Sequence, residues 1–282
     1  MDLPGRVTPD ERKQALEAIA AEVAVCTRCP LHIERIKAVP GEGHPETEVV
    51  FVGEGPGFNE DREGRPFVGA AGGLLNELLK AIGWRREEVF ITNVVKCRPP
   101  GNRDPDPAEI SACAPYLQRQ LQVLDPSVVV TLGRHSLGTF MPGTRISAVH
   151  GTTGAVDPQT GAGNATTYAM YHPAAALRQG SLKETMVVDM AGLPEVLIAA
   201  RERRAMLTTP EVAAFVTEQA PVPALANVPE VPVQLQPQPE PTVAPARVDN
   251  GAAIVELDSL ETATVVATAP ASSTEPQLEL FG

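Results

Sequence analysis

The stretch from Val49 to Leu75, VVFVGEGPGFNEDREGRPFVGAAGGLL, decides the fold of this chain. Residues 49–52 are apolar and mostly β-branched, which is typical of a covered strand in a parallel sheet. A long glycine-rich turn follows, and residues 70–82 are predicted to form a helix. The turn is too long for a dinucleotide fingerprint, and no GK[ST] follows it as in a phosphate-binding loop. We therefore predict a strand whose end presents backbone N–H groups and a carboxylate to a flat, polar-edged ligand.

Three more apolar runs begin near residues 89, 127 and 167. They alternate with predicted helices, which include residues 9–24 and 106–121. This alternation predicts an α/β fold of three α/β/α layers around a central, mostly parallel, four-stranded sheet. Residues 145–170 are predicted to hold two or three short strands around the Gly- and Thr-rich stretch 157–164.

Three polar side chains each follow a predicted strand. They are Glu54, Asn93 and His172. Ligands of such folds bind beyond the carboxyl ends of the strands, so we expect the three side chains to share one rim. Asn93 must satisfy both a carbonyl and an amide if it is buried, which suits it to binding the edge of a flat, polar ligand; capping a loop is the alternative. For His172 the alternative is an ordinary loop histidine.

The chain has four cysteines, spaced as C-x2-C, a long gap and C-x15-C: Cys26, Cys29, Cys97 and Cys113. Disulfides and plain buried thiols are two possible explanations, but a C-x-x-C pair in a chain without a secretory signature favours metal ligation. Thiolates in this pattern bind either zinc or an iron–sulfur cluster. The spacing alone leaves both open.

Three segments resemble the signatures of type-4 uracil-DNA glycosylases, the iron–sulfur members of the uracil glycosylase superfamily. They are GEGPG (53–57) with GRPFVG (64–69), TNVVKCRPPGNRDP (92–105) and YHPAAALR (171–178), in the order of that family. The resemblance covers about residues 26–197. It implies a monofunctional DNA glycosylase that hydrolyses the N-glycosidic bond of deoxyuridine, releases uracil and leaves an abasic site for base excision repair.

The same resemblance assigns roles to individual residues. It implies that the four cysteines hold a structural [4Fe–4S] cluster and that Glu54, Asn93 and His172 are catalytic. The uracil-binding set is Gly53, Glu54, Gly55, Asn59, Phe67, Asn93 and His172. DNA contacts are expected from Arg98, Arg103 and Arg178. The family usually has two acidic residues where Phe58 and Asn59 stand in this chain, so any task of those acids is altered here.

The end of the chain differs from the rest in composition. Residues after Arg204 include ten acidic residues, one basic residue and 11 of the 28 prolines, so most of the net charge of −12 lies there. The first 204 residues are near neutral, and a local basic face remains compatible with DNA binding. We predict a glycosylase domain over 1–204 and a disordered Pro/Ala/Val-rich linker over 205–276.

The last six residues, 277–282, resemble the linear motif with which bacterial repair proteins dock on the sliding clamp. Gln277 would form hydrogen bonds, while Leu278, Leu280 and Phe281 would fill an apolar groove. A chance match in an apolar, acidic tail is the alternative.

The remaining expectations concern location and class. The chain has no run of 18 apolar residues, and its first residues lack the apolar core of a signal peptide. We expect a monomer in the cytoplasm, associated with the nucleoid and without a membrane partner. Two other functions remain open: a non-catalytic module that binds uracil or damaged DNA, and a zinc-stabilised nucleotide-binding protein unrelated to repair.

Overall fold

The structure, a computed structural model, describes residues 8–207. The α-helices of this part of the chain are α1 (Pro9–Ala24), α2 (Phe58–Glu63), α3 (Ala70–Ala81), α4 (Pro107–Leu124), α5 (Arg134–Phe140), α6 (Ile146–Val149), α7 (Pro173–Arg178) and α8 (Ser181–Leu207). Its strands are β1 (Glu42–Gly43), β2 (Val49–Gly53), β3 (Phe90–Asn93), β4 (Val128–Leu132), β5 (Thr153–Ala155) and β6 (Thr166–Met170).

The strands of the described residues form one sheet of six strands in the order β1-β3-β2-β4-β6-β5. The central four, β3, β2, β4 and β6, are parallel, whereas β1 and β5 pair antiparallel at the two edges. The predicted α/β fold with a mostly parallel sheet is confirmed, but the predicted number of four strands is wrong. The added edge strands span two and three residues. Strands of two or three residues are too short to show the alternation of apolar and polar residues that predicts a strand. They are recognised only by their pairing with a longer neighbouring strand.

The sheet separates two apolar layers. Val49 and Phe51 of β2 face a layer that contains α3, α7 and α8. Val50 and Val52 face the opposite layer, which contains α1, α4 and the cysteines. All five residues of β2 are buried, as expected for a strand covered on both faces. This alternation explains why a continuous apolar run marks the centre of the fold.

The helix boundaries follow local capping chemistry. Thr8 caps α1, because its hydroxyl accepts from the Glu11 N–H while the Glu11 carboxylate accepts from the Thr8 N–H. Pro107 occupies the first turn of α4, where its missing N–H costs nothing. α4 ends at Leu124, three residues beyond the predicted end. In the region 145–170, β5 and β6 flank the 157–164 stretch as predicted, but residues 146–149 form α6 rather than a strand.

The last described helix, α8, was not predicted. It continues through Leu207, beyond the predicted domain boundary at 204. The rest of the predicted linker and the candidate clamp-binding peptide lie outside the described residues. Within residues 8–207, no helix combines the length and apolar character that crossing a bilayer requires.

Candidate active site

The carboxyl ends of the four parallel strands open into one cleft of about 500 Å³. The size is within the usual range for small-ligand sites, about 300–1,000 Å³. Each strand delivers polar residues to it: Glu54 follows β2, Asn93 ends β3, Arg134 follows β4 and His172 follows β6. Segments far apart in sequence therefore meet because parallel strands end at the same edge of the sheet.

Asn93 carries an unsatisfied acceptor. Its side chain is 1% exposed, and Oδ1 has no hydrogen-bond partner within the described part of the chain. A buried carbonyl without a donor costs about 1–3 kcal/mol. Gly53 makes room for it, since a Cβ there would lie 2.4 Å from Asn93 Oδ1 and 2.7 Å from the Phe67 ring. The site thus maintains a free acceptor beside an aromatic ring.

Phe67 forms the apolar wall of the cleft. Its ring stacks on that of His172, with 5.5 Å between centroids and 29° between planes. Phe67 has a φ of 50°, a left-handed conformation that non-glycine residues rarely adopt. Arg86 holds this backbone, because its guanidinium donates to the carbonyl oxygens of Pro66 and Phe67 and pairs with Glu42. The ring is therefore placed by a strained but well-supported turn.

His172 is a neutral imidazole with a defined tautomer. Its Nδ1 accepts a hydrogen bond from the Ala174 N–H at 3.1 Å, which caps α7. Burial lowers the pKa of His172 to about 4, and the nearby Arg178 guanidinium acts in the same direction. Because Nδ1 is an acceptor and the ring is uncharged near neutral pH, the proton resides on Nε2, which is left as a donor.

Glu54 lies beside a charged cluster. His135 Nε2 is 3.8 Å from a Glu54 carboxylate oxygen and 3.3 Å from Asp104 Oδ1. Arg134 pairs with Asp104 and also donates from Nε to His135 Nε2 at 3.0 Å. Burial raises the pKa of Glu54, while His135 counteracts this. Glu54 is therefore a carboxylate with increased affinity for a proton: burial and the Asp104 carboxylate disfavour its charged form, while Arg134 and Arg178 favour it.

Glu60 shapes the glycine-rich turn. Its carboxylate accepts hydrogen bonds from the N–H groups of Gly57, Val68 and Gly69, at 3.1, 2.9 and 2.9 Å. These contacts join the start of the turn to its end. By contrast, the Gly55 N–H, which lines the cleft, donates no hydrogen bond among residues 8–207. The turn thus has an internal anchor and an available donor.

The other predicted site residues differ in position. Arg178 lines the cleft, and Arg98 lies beside it, donating to Asn102 Oδ1 at 2.6 Å. Arg103 lines the cleft, but its guanidinium is bound in a bidentate pair with Glu109 at 2.8 and 2.7 Å. Asn59 is exposed on α2 and does not line the cleft. The structure therefore groups the predicted base-binding residues except Asn59.

The four cysteines lie on the opposite face of the sheet from Phe67, around a small cavity between the segment after α1 and α4. None forms a disulfide. Arg35 Nη1 donates to Cys97 Sγ at 3.1 Å, and the Lys96 N–H donates to Cys113 Sγ at 3.2 Å. Hydrogen-bond donors to sulfur are typical of thiolate-ligated centres.

The sulfur spacing bears on which centre would fit. Within residues 8–207, no three of the cysteine Sγ atoms lie within 4.8 Å of one another. Glu54, Asp104 and His135 in the cleft do bring three such ligand atoms together. Four thiolates around one tetrahedral zinc would be about 3.8 Å apart, given Zn–S distances near 2.3 Å. The donor set is all sulfur and is spread more widely than one zinc ion allows, which fits a multinuclear cluster better.

A fully buried lysine connects the two sites. Lys96 Nζ donates to Thr92 Oγ1, the Asn93 carbonyl oxygen and Gln120 Oε1, at 2.6, 2.8 and 2.7 Å. Burial lowers the pKa of Lys96 to about 7. Lys96 therefore fixes the end of β3, which carries Asn93, against the helix that carries Cys113.

Sequence reasoning missed three contributors to the cleft: Asp104, His135 and Arg86. Neither His135 nor Asp104 is among the residues that the sequence predicted for the site. Their positions after the third strand and within a cleft-lining signature segment were the available signal. Arg86 gave no signal, because its role depends on carbonyl groups 19 and 20 residues earlier in the chain.

Comparison with known proteins agrees with this architecture. A sequence model of the Uracil DNA glycosylase superfamily matches residues 40–191. The chain is 47% identical over 188 residues to the type-4 uracil-DNA glycosylase of Sulfurisphaera tokodaii, an alignment that covers 65% of this chain and 86% of that protein. The type-4 uracil-DNA glycosylase of Archaeoglobus fulgidus is 44% identical over 188 residues, covering 65% of this chain and 94% of that protein. That of Thermotoga maritima is 46% identical over 170 residues, covering 60% and 87%. The chain therefore belongs to the uracil-DNA glycosylase superfamily and, within it, to the type-4 family.

Proposed function

We propose that this protein is a uracil-DNA glycosylase that hydrolyses the bond between uracil and deoxyribose in DNA and leaves an abasic site. The observation that carries the proposal is the unsatisfied Asn93 Oδ1 next to the Phe67 ring, at the base of a cleft that also presents a neutral histidine. An aromatic wall with a free acceptor suits a flat ring that carries an N–H on its edge.

Base selection would rest on Asn93. Its Oδ1 would accept the N3–H of uracil, and its amide would donate to O4. Cytosine presents an acceptor at N3 and a donor at N4, so the same side chain would face two mismatched groups. The uracil ring would stack on Phe67 after the nucleotide has left the DNA stack. Lys96 supports this function by binding the Asn93 backbone carbonyl.

The leaving group would be stabilised by preorganised donors. As the bond between C1′ and N1 breaks, negative charge collects on uracil N1 and O2. The Nε2–H of His172 and the N–H groups of the turn, including Gly55, would donate to this charge. A neutral histidine suits this task because it can be placed without first losing or gaining a proton.

Glu54 is proposed to act on the sugar side of the reaction. Its carboxylate would orient the attacking water or stabilise the positive charge that develops on the sugar. A raised pKa strengthens its ability to accept a proton from that water. The nearby guanidinium groups of Arg134 and Arg178 would favour the charged form of the carboxylate between these events.

DNA contacts are proposed for Arg98 and Arg178 at the cleft. Neither forms an ion pair within the described residues, so both guanidinium groups remain available to phosphate. Arg103 is the weakest of the three predicted contacts, because Glu109 already occupies its guanidinium group. A genomic DNA substrate would place the site of action at the nucleoid.

We further propose that Cys26, Cys29, Cys97 and Cys113 hold a [4Fe–4S] cluster. Burial raises the pKa of Cys113 to about 11, so its thiolate form requires a bound cation. The group would supply a cross-link between the N-terminal segment and α4 and take no part in the bond cleavage. Arg35 and the Lys96 N–H would support this cross-link, because they donate hydrogen bonds to the Sγ atoms of Cys97 and Cys113.

The proposal for the C-terminal region rests on sequence alone. A linker over 205–276 would let residues 277–282 bind the apolar groove of a bacterial sliding clamp. The full chain should bind the clamp, and Leu280→Ala combined with Phe281→Ala should abolish that binding. Equal binding by both proteins would remove the peptide from the proposal.

The experiment that tests the glycosylase is a scission assay. Purified protein is incubated with a labelled single-stranded oligonucleotide that carries one uracil, and alkali then cleaves any abasic site. We expect scission at uracil, none at cytosine or thymine in matched oligonucleotides, and a large loss in Asn93→Asp. An absence of scission by protein with its cluster intact would overturn the proposal and would leave a non-catalytic uracil- or DNA-binding module.

A further inference from the structure

Phe58 is exposed beside the cleft. It is the first residue of α2 and is 50% exposed, and the other phenylalanines, tyrosines and the tryptophan of residues 8–207 are buried or half-buried. Two guanidinium groups lie over its ring, that of Arg62 at 5.5 Å and that of Arg98 at 5.2 Å from the centroid. The two arginines belong to different segments, so Phe58 joins the glycine-rich turn to the loop after β3.

Arg62 and Arg98 bring two guanidinium groups to this ring. Neither forms an ion pair in the part of the chain that the structure describes. Of the three acids of α2, Glu60 accepts from backbone N–H groups of the turn and Asp61 accepts from the Ile36 N–H at 3.0 Å, whereas Glu63, next to Arg62, is exposed. Phe58 and Arg62, which are exposed, and Arg98, which is half-buried, thus form a cationic and aromatic patch.

This patch continues the wall of the cleft. Gly57 and Glu60, on either side of Phe58, line the cleft, and so do Pro99 and Asn102, which follow Arg98. Arg98 is held in place by Asn102. A nucleotide bound in the cleft is covalently joined to its neighbours, so an adjacent nucleotide must lie at the cleft's edge, where the patch is one of the available surfaces.

We propose that Phe58, Arg62 and Arg98 form a subsite for the nucleobase adjacent to the target uracil, an inference that rests on the proposed function. Moving uracil into the cleft removes a stacking partner from its neighbour. The Phe58 ring replaces that partner, and the guanidinium groups contribute a stacking plane or a phosphate contact. Because every base has a π-face, the subsite is tolerant of sequence and favours single-stranded or unpaired DNA.

The test pairs a change in the protein with a change in the DNA. The excision efficiency kcat/KM is measured for wild type, Phe58→Ala, Phe58→Leu and Phe58→Trp. The substrates are a single-stranded oligonucleotide with one uracil and two copies in which a tetrahydrofuran spacer replaces the base on the 5′ or the 3′ side of it. Thermal denaturation of each variant checks that the fold is retained.

We expect Phe58→Ala to lower kcat/KM by about 5- to 160-fold on the complete oligonucleotide, which corresponds to the stacking of one base. On one of the two spacer oligonucleotides the difference between wild type and Phe58→Ala should vanish, and that oligonucleotide identifies the side that stacks. Phe58→Trp should retain efficiency, and Phe58→Leu should lose it, because leucine keeps the apolar volume without the π-face.

Two results would overturn the proposal. Equal efficiency of wild type and Phe58→Ala would show that the ring is not used. A loss of equal size on all three oligonucleotides would show that Phe58 acts only by supporting the turn. If wild type excises uracil from none of the oligonucleotides, the proposed function fails instead. The affinity of wild type and Phe58→Ala for the same three oligonucleotides, measured by fluorescence anisotropy, then tests the subsite.

Discussion

Asn93→Ala should reduce excision by at least about 10²-fold without destabilising the protein. In the free protein Asn93 Oδ1 is buried and has no donor within residues 8–207. Removing it ends a desolvation penalty, and the space it leaves is continuous with the cleft, so no closed cavity forms. The neighbouring Thr92 is the matched control, because it is also 1% exposed but its hydroxyl donates to the Pro40 carbonyl and accepts from Lys96 Nζ.

The expected changes in stability differ between Asn93→Ala and Thr92→Val. An unsatisfied buried polar group costs about 1–3 kcal/mol, part of which Asn93→Ala recovers and part of which is lost with the packing of the side chain. We expect the Tm to stay constant or to rise by up to about 4 °C for a domain of this size. Thr92→Val leaves Lys96 without one acceptor and should lower stability by about 1–3 kcal/mol.

The two variants should differ in activity in the opposite sense, because the more stable variant, Asn93→Ala, should be the less active one. Asn93→Ala removes the group proposed to read the base, and we expect excision to fall by at least about 10²-fold, the usual effect of one lost active-site hydrogen bond. Thr92→Val should retain most of its activity. The assays are thermal denaturation and single-turnover scission of the uracil oligonucleotide. Free uracil should raise the Tm of wild type but not that of Asn93→Ala, since only a protein that binds the ligand is stabilised by it.

Two results would refute this reasoning. Destabilisation of Asn93→Ala as large as that of Thr92→Val would mean that Oδ1 is satisfied in the native protein and is not kept free for a ligand. Retention of excision by Asn93→Ala would remove Asn93 from base recognition, whatever its effect on stability.

Three further predictions concern the histidine, the cysteines and the turn. The pKa of His172 is lowered from 6.5 to about 4. Between these pH values the unfolded chain therefore binds a proton at His172 that the native protein does not bind. The contribution of the neutral His172 to stability is complete above pH 6.5 and is lost as the pH falls towards 4. Urea denaturation should show a smaller loss over this range in His172→Gln, and equal losses would contradict the assignment. Cys97→Ala should lose the broad absorption near ~400 nm expected of iron–thiolate bonds and should melt earlier; a colourless variant with wild-type stability would contradict a structural cluster. Gly53→Ala places a Cβ 2.4 Å from Asn93 Oδ1 and should reduce excision at least about tenfold, whereas Gly73→Ala, whose Cβ meets nothing within 4 Å, should not; equal activity of the two variants would argue against close packing under the base.

The sequence and the structure contribute different parts of the site. Glu54, Asn93 and His172 could be predicted at one rim, because each follows an apolar run and parallel strands end together. The resemblance placed Asn59 in the uracil-binding set, yet its side chain is exposed on α2 and does not line the cleft, because a helix sends adjacent residues in different directions. Asp104 and His135 could not be paired from sequence, since their contact depends on how two loops fold over the sheet edge.

The sequence by itself determined the four central strands, the main helices before residue 125 and the family. Those strands are buried on both faces, so burial leaves a continuous apolar pattern in the chain. Only the tertiary structure decided the edge strand β1, the antiparallel pairing that makes β5 the other edge, and the strained Phe67, which Arg86 holds. It also decided that Asn93 Oδ1 has no donor. Whether a buried polar atom is satisfied depends on every neighbour that surrounds it, and those neighbours come together only when the chain folds.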